Sequence, residues 1–419
     1  MATFRFLHAA DIHLDSPLHG LARYEGVPVD DVRSATRSAF DNLIHFACDQ
    51  AVDFVVIAGD LFDGDWKDMG TGLYFARAMG KLAAADIPVF LLAGNHDAAS
   101  VLTKQLPWPP NVHQFASRRA ETHVIESLNV AIHGQSFANA AVTDNLAAAY
   151  PEAVPHHFNI GLLHTALAGH ANHYPYAPCS IDDLLAKRYD YWALGHVHDH
   201  VVHSEQPHIV FPGNLQGRHI RETGPKGAVL VDVEDGIVTE LSHIPLDVMR
   251  WARLEVDCGS ATSLDEVNAV IRTTLGRHHA ELADGRPMIA RVVLVGQTSL
   301  AGLLHDSGAT RRNDVRALAA AISPELWIEK VQLEVTEPDD RTVLSGVPED
   351  FLALFAEAAT APDLAQLFDD EFGAFLTAAA KAGDPCDEDF AGMASSRDWP
   401  ALLATTGAAL SARLSGATD

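Results

Sequence analysis

The chain has 419 residues, enough for two or three domains of ordinary size. Apolar residues make up 48% of the chain and charged residues 20%, which excludes a wholly disordered protein. The formal net charge of -27 excludes a molecule coated with basic residues for nucleic-acid binding, so any contact with DNA has to be local, metal-bridged or supplied by a partner.

The first 245 residues alternate between apolar runs of strand length and longer segments with helical spacing. The expected strands cover residues 4–10, 54–58, 89–93, 130–133, 160–163 and 191–194, and the two clearest helices cover 31–51 and 69–85. This alternation predicts a layered α/β domain. Three further β-like runs, at residues 209–211, 228–233 and 237–244, predict a meander that completes it.

The pattern changes after about residue 246. Expected strands at 253–257, 288–295 and 327–335 enclose helical stretches near 263–282 and 310–322, which predicts a small β-α-β-α-β domain over residues 246–340. Residues 346–419 are rich in Ala, Leu and Phe and carry three basic and thirteen acidic side chains. Their apolar residues recur at helical spacing, so we expect a helical tail that either packs on its own domain or docks on a partner.

The four cysteines are far apart and form no Cys-x-x-Cys pair, which disfavours a disulfide framework and a structural zinc site. No apolar run approaches the ~20 residues that a membrane-spanning helix needs, and the N-terminus shows no signal-length apolar stretch. We therefore expect a cytoplasmic protein without a membrane contact.

Histidine is concentrated in the first part of the chain, where 20 of the 23 histidines lie within residues 1–245. Imidazole is the commonest metal ligand and the usual acid or base near neutral pH, so this bias indicates a site. Five polar segments each follow an apolar run: Asp11-Ile12-His13, Gly59-Asp60-Leu61-Phe62-Asp63, Gly94-Asn95-His96-Asp97, His164, and Gly195-His196-Val197-His198. Since the carboxyl ends of parallel strands converge, the five segments predict one shared site.

The spacing and chemistry of these segments favour a metal centre. In extended backbone, residues two apart point to the same side, so Asp11 with His13 and His196 with His198 can each present two ligands to one cavity. A mixed set of Asp, His and Asn ligands suits Mn²⁺ or Mg²⁺ and is acceptable to Zn²⁺ or Fe²⁺. A Gly-Asn-His-Asp segment is expected by chance only about 0.004 times in a chain of this composition.

In this order the motifs resemble the calcineurin-like metallophosphoesterases, and most of all their DNA-repair exonuclease branch, the SbcD-type nuclease subunits with their YhaO-like members. The closer resemblance rests on the segments DIHLDSPL, GDLFD, YAPC, DYWALGHVH and FPGNLQGRHIRETGPKG. It implies a four-layer α/β/β/α sandwich over residues 1–245, a small α+β capping domain over 246–340 and a helical tail over 346–419.

The resemblance further implies a two-metal centre, with Mn²⁺ expected and Mg²⁺, Fe²⁺ or Zn²⁺ left open. The seven implied ligands are Asp11, His13 and His198 on one ion, Asn95, His164 and His196 on the other, and Asp60 between the two. His96 is then a non-ligand that protonates the leaving oxygen or steadies the transition state. Asp97 would orient His96, and Asp63 would support the site residues without binding a metal ion itself.

The implied function is hydrolysis of DNA phosphodiester bonds, by an exonuclease or end-processing nuclease in which a metal-activated water attacks in line. Small phosphodiesters or cyclic nucleotides stay open as substrates, because the metal set alone does not distinguish them. A regulatory binding subunit of an SMC-like ATPase stays open too, although a complete ligand set disfavours it. The implied partners are DNA ends and an ATPase of the SbcC or YhaN type, bound through the C-terminal helices; a homodimer is left open.

The segment after the last expected ligand leaves one question open. Arg218 and Arg221 can grip a phosphate, since arginine suits bidentate phosphate contacts. A salt bridge of these arginines with Glu222 or a nearby acid is an equally good interpretation. Asn214 and Gln216 can line the rim of the cavity.

Overall fold

The computed structural model describes residues 3–16, 29–63, 69–99, 108–167, 176–306, 308–336, 338, 366–368, 370, 371, 373, 399 and 402. The chain divides into two compact units, one of residues 1–17 and 30–250 and the other of residues 18–29 and 251–419. None of the helices in these described ranges is both long enough and apolar enough to cross a lipid bilayer.

In the described part of the first unit, twelve strands, four helices and one 3₁₀ turn follow one another. In chain order they are β1 (Phe4–Ala9), α1 (Val29–Asp49), β2 (Phe54–Ala58), α2 (Met69–Ala84), β3 (Val89–Leu92), α3 (Asn95–Ala99), β4 (Val112–Gln114), β5 (Glu121–Ile125), β6 (Val130–Gly134), the turn Ala147–Ala149, β7 (Phe158–His164), α4 (Ile181–Ala186), β8 (Tyr191–Gly195), β9 (His200–Glu205), β10 (His208–Pro212), β11 (Gly227–Glu234) and β12 (Ile237–Pro245).

Two six-stranded sheets form the centre of this unit. The first has the order β12-β11-β1-β2-β3-β4, with β1, β2, β3 and β4 parallel, and the second has the order β5-β6-β7-β8-β10-β9, with β6, β7, β8 and β10 parallel. Their facing surfaces are apolar and share one core, in which Phe6 and Phe54 of the first sheet stack at 5.0 Å and Tyr191 of the second meets Phe6 edge-on at 5.2 Å. Burying these alternating apolar side chains between the sheets is what holds the sandwich together.

Helices cover the outer faces of both sheets. α1 is helical because apolar residues recur three and four apart, and its Phe40 and Leu43 pack with α2 on the outer face of the first sheet. On the second sheet, Leu184 of α4 and Ala147 of the turn pack against Trp192. The layers therefore run α/β/β/α, which confirms the fold class implied by the resemblance.

The predicted meander is wrong. β10 lies in the second sheet, parallel to β8, whereas β11 and β12 form an antiparallel pair at the edge of the first sheet. The chain therefore crosses from one sheet to the other after β10. Hydrophobic periodicity fixes which residues form strands, but it does not determine which strands are neighbours.

The second unit has its own core. Its elements are β13 (Arg250–Asp257), α5 (Leu264–Leu282), β14 (Met288–Gln297), α6 (Ala301–Asp306), α7 (Gly308–Ile322) and β15 (Leu326–Thr336), with a three-stranded sheet in the order β13-β14-β15. β14 and β15 are parallel, and the buried sides of α5 and α7 pack against the sheet through Val267, Ile271 and Val315.

Of the tail predicted over residues 346–419, the structure describes eight residues, all of them helical. Phe368 and Trp399 among them stack at 5.1 Å, with the buried Leu402 beside them. The rest of this prediction lies outside the described residues.

Candidate active site

Every sequence-predicted site residue lies in the first unit, next to the carboxyl end of a strand. Asp11 and His13 follow β1; Asp60 and Asp63 follow β2; Asn95, His96 and Asp97 open α3 after β3; His164 ends β7; His196 and His198 follow β8. The ends of the two sheets approach closely here, because a Cβ on Gly195 would overlap with the carbonyl oxygen of Ala58. The sandwich therefore brings ligands from both sheets to one place.

The backbone at the ligands is not extended. Asp11 and His13 have φ values of 49° and 47°, and Asp60 has φ 50°, in the left-handed region that non-glycine residues rarely adopt. The loop after β1 is held there by the loop after β2, since the N–H groups of Asp11 and His13 donate to the carbonyl oxygens of Gly59 and Asp60 at 3.0 Å each. The expectation of extended backbone at this pair is therefore wrong, although the structure does bring both side chains into one cluster.

The first set of candidate ligands is Asp11, His13 and His198, whose ligand atoms lie within 4.8 Å of one another. His198 Nδ1 lies 2.7 Å from a Glu222 carboxylate oxygen, so Nδ1 carries the proton and Nε2 carries the lone pair. That Nε2 lies 3.3 Å from His13 Nε2 and 3.8 Å from Asp11 Oδ1, an oxygen that is buried without a hydrogen-bond partner among the described residues. An orphaned carboxylate oxygen facing imidazole lone pairs fits a metal cation.

The second set is centred on His164, which also lies close to Asp60. His164 Nδ1 donates to the carbonyl oxygen of Ala58 at 2.9 Å, which leaves the Nε2 lone pair 2.9 Å from Asn95 Oδ1 and 3.5 Å from Asp60 Oδ2. The His196 ring lies 5.2 Å from that of His164, centroid to centroid. Electron pairs of an imidazole, an amide oxygen and a carboxylate thus converge on one point, and a divalent cation satisfies all of them.

Electrostatics supports the same interpretation. Burial lowers the pKa of His164 to about 4 and, together with the charge of Arg218, holds the pKa of His13 well below its ordinary value, so both imidazoles are neutral ligands. Burial also raises the pKa of Asp11 well above its usual value, and the neighbouring charge of Asp60 adds to this. Two buried carboxylates this close are unfavourable until a cation neutralises them.

His96 can form a candidate metal group with His13 and Asp60, but it is more exposed than the histidines of the two assigned sets. Its Nδ1 donates to Asp63 Oδ1 at 2.8 Å, and 38% of its side chain is exposed. Burial acts to lower the pKa of His96, but the hydrogen bond to Asp63 and the charges of Asp60 and Asp63 outweigh it and raise that pKa. His96 is therefore a partly exposed imidazole paired with a carboxylate, an arrangement suited to proton donation.

Asp63 and Asp97 have different contacts from those expected. Asp63 accepts hydrogen bonds from His96 and from Ser16 Oγ, the latter at 2.6 Å, whereas the Asp97 carboxylate accepts the backbone N–H groups of Leu61, Phe62 and Gly94 at 2.8 to 3.1 Å. The position beside the His96 ring, assigned to Asp97 from the resemblance, is thus occupied by Asp63. Asp97 instead ties the loop after β2 to the loop after β3.

Sequence reasoning missed the role of the segment after β10. Arg218 forms a salt bridge with Glu222 at 2.8 Å, which answers the question left open for that arginine, and the same carboxylate contacts His198. The motif that carries both residues, GRHIRE, lies about 20 positions beyond the ligand that they touch. The one sequence signal for this role was that GRHIRE follows the last candidate ligand, His198, along the chain.

Comparison with known proteins places this site in context. Residues 4–200 match the calcineurin-like phosphoesterase family, and residues 251–336 match the middle domain of the metallophosphoesterase YhaO. The chain is 35% identical over 295 residues to the uncharacterized metallophosphoesterase YhaO of Bacillus subtilis (strain 168), covering 70% of this chain and 71% of that protein.

Two more distant similarities accompany it. The chain is 26% identical over 275 residues to the DNA double-strand break repair protein Mre11 of Thermoplasma acidophilum, covering 60% of this chain and 68% of that protein. Among solved structures, a dimetal phosphatase from Danio rerio aligns with a TM-score of 0.36 at 11% identity, over 55% of this chain and 93% of that one.

Proposed function

Because this chain belongs to the calcineurin-like metallophosphoesterases, and is therefore a metal-dependent phosphoesterase, we propose that its substrate is DNA, which it processes as an exonuclease or end-processing nuclease in repair. The observation that carries the metal-dependent chemistry is the clustering of candidate ligands from both sheets around one buried carboxylate, Asp60. The choice of DNA is supported by the similarity to Mre11, a DNA double-strand break repair protein.

We assign two divalent ions to the site, with Mn²⁺ as the expected metal. Asp11, His13 and His198 would hold one, Asn95, His164 and His196 the other, and Asp60 would bridge them. When bound, such a pair supplies the Lewis acidity for an in-line displacement at phosphorus. Neutral imidazole and amide ligands leave the pair with net positive charge, which attracts a phosphodiester even though the whole chain is acidic.

His96 is the proposed proton donor to the leaving oxygen. Its Nδ1 is held by Asp63, so the ring cannot turn freely, and its exposed fraction makes it reachable from solvent. Asp63 is fixed in turn by Ser16 and lies 3.6 Å from Arg218 Nη1. Asp63 thus orients the ring and stabilises its protonated form.

The test is a turnover assay on the purified chain with added Mn²⁺. End-labelled single- and double-stranded DNA is compared with bis-p-nitrophenyl phosphate and a cyclic nucleotide, with H96A as the matched variant. Shortening of DNA that is lost in H96A is the expected result. Cleavage of the small esters alone would contradict the DNA proposal and favour a small-phosphodiester hydrolase, an alternative that the net charge of -27 supports.

A partner can supply the basic DNA surface that this acidic chain lacks. We infer that residues 346–419 dock on an SMC-like ATPase of the SbcC or YhaN type, on the basis of their acidic composition and their apolar residues at helical spacing. Deletion of residues 346–419 is expected to abolish co-purification with such an ATPase while the circular dichroism of the remainder is unchanged. Unfolding of the truncated chain would instead make this segment part of its own core.

A further inference from the structure

The segment between β10 and β11 contains an unusual group of buried polar side chains. The side chains of Glu222 and Lys226 are each only 3% exposed, that of Arg218 is 12% exposed, and Asn214 is fully buried. Burying charged groups is costly unless each has a partner, so these partners define what the segment does.

Two of these side chains hold His198. Glu222 Oε1 accepts a hydrogen bond from His198 Nδ1 at 2.7 Å, and Lys226 Nζ donates to the carbonyl oxygen of His198 at 2.6 Å. The ring is thus held at the nitrogen that does not face Asp11, and the backbone of His198 is held at its carbonyl group. A carboxylate on the far nitrogen of a histidine sets its tautomer and makes the near nitrogen a better metal ligand.

Glu222 is itself fixed from three directions. Its Oε2 accepts hydrogen bonds from Asn214 Nδ2 at 2.9 Å and from the Arg218 backbone N–H at 2.8 Å, and the Arg218 guanidinium contacts both of its oxygens. Arg218 Nη1 also reaches to 3.6 Å from Asp63 Oδ2, the carboxylate that holds His96. One segment therefore connects a candidate metal ligand with the proposed proton donor.

We propose that Glu222, held by Arg218, is a positioning residue that fixes His198 as an Nε2 metal ligand and so sets the affinity of one of the two metal positions. The proposal rests on the two-metal site of the proposed function. It predicts a selective effect: the position formed by Asp11, His13 and His198 loses affinity when Glu222 is changed, and the position formed by Asn95, His164 and His196 does not.

The experiment titrates Mn²⁺ alone into the metal-free full chain and its E222Q variant by calorimetry, with E205Q as the control for the same charge change at an exposed position. Wild type and E205Q are expected to bind two ions. E222Q is expected to bind one ion as before and the other roughly 10- to 100-fold more weakly. Electron paramagnetic resonance adds a second readout, because at the same two equivalents of Mn²⁺ wild type should give the spectrum of a coupled pair and E222Q that of mononuclear Mn²⁺.

Unchanged constants for both ions in E222Q, or equal weakening of both, would overturn the positioning role. Fewer than two ions in wild type would overturn the two-metal assignment itself, so the two failures are distinguishable. If E222Q does not fold, R218K serves in its place. A lysine keeps the charge but loses the guanidinium contacts with both carboxylate oxygens of Glu222. That variant is expected to weaken the same single position by a smaller factor, and unchanged binding by a folded R218K would equally count against the proposal.

Discussion

At the scale of single residues, His96 is distinguished from the assigned ligands by its exposure: 38% of its side chain is exposed, against 22% for His198 and 1% for His13. Replacing His96 with Ala is expected to lower kcat on bis-p-nitrophenyl phosphate by about 10²- to 10⁴-fold, the usual contribution of a positioned general acid. Binding of two Mn²⁺ ions should persist in H96A, because His96 is not assigned to either ion, and D60A should lose them. Loss of an ion from H96A in a calorimetric titration would identify His96 as a ligand.

Asp97 contributes to stability in the same neighbourhood. Its buried carboxylate accepts three backbone N–H groups, which D97A would leave without partners. Since an unsatisfied buried group costs about 1–3 kcal/mol, we expect D97A to lower the free energy of unfolding of the metal-free protein by at least about 2 kcal/mol. Urea unfolding measures this, with D182A on the exposed first turn of α4 as the control; equal midpoints for the two variants would refute the role.

The sequence predicted more about the residues of the site than about their contacts. All ten candidate residues come together because their motifs follow strands that end at the same edge of the sandwich. The partner of His96 could not be deduced, because Asp97 is its neighbour in the chain, whereas Asp63 lies on the loop after β2 and reaches the ring only through the tertiary fold. The role of Glu222 depends on a chain crossing between sheets that no local pattern encodes.

At the scale of elements, glycine determines how closely the strand ends approach. A Cβ on Gly94 would overlap with Asp60 Oδ1 and lie 2.8 Å from the Asp60 backbone nitrogen. G94A is therefore expected to displace Asp60, the proposed bridging carboxylate, and to abolish Mn²⁺ binding. G80A, in the middle of α2 with nothing within 4 Å, is expected to bind Mn²⁺ normally and to gain about 0.5–1 kcal/mol of stability. Normal metal binding by G94A would contradict this account.

The strands missed from the sequence are half-exposed or short, although the half-exposed edge strand β12 was found. β2 and β8 are wholly buried apolar runs, and the apolar pattern located both. β5 and β9 are half-exposed sheet edges with mixed polar composition, and β4 has three residues, so none of them gave a clear apolar pattern. Edge strands are stabilised by the neighbour on one side only, and this information is not local in sequence.

For the whole molecule, the net charge of -27 determines how the affinity for DNA depends on salt. A protein that binds DNA through many basic contacts loses about 10³- to 10⁵-fold in affinity between 50 and 200 mM salt. If the metal site alone attracts the substrate, the KM of the isolated chain for DNA should change by less than about tenfold over that range, because screening also weakens the repulsion. A steep rise in KM with salt, measured in steady-state assays, would reveal an extended basic surface on this chain.

The left-handed backbone and crowded carboxylates at the ligands carry a consequence for the lifetime of the protein. Asp11 combines a φ of 49° with a buried charge beside Asp60, so D11N should raise the thermal midpoint of the metal-free chain by a few degrees, because asparagine tolerates this backbone and removes the charge. The same variant should lose the stabilisation that Mn²⁺ gives to wild type, which differential scanning calorimetry can measure. A higher midpoint for metal-free wild type than for D11N would contradict this.

Molecules that have not acquired metal are then the ones most exposed to proteolysis, so the supply of metal ions would govern how much of the protein survives as well as how fast it works.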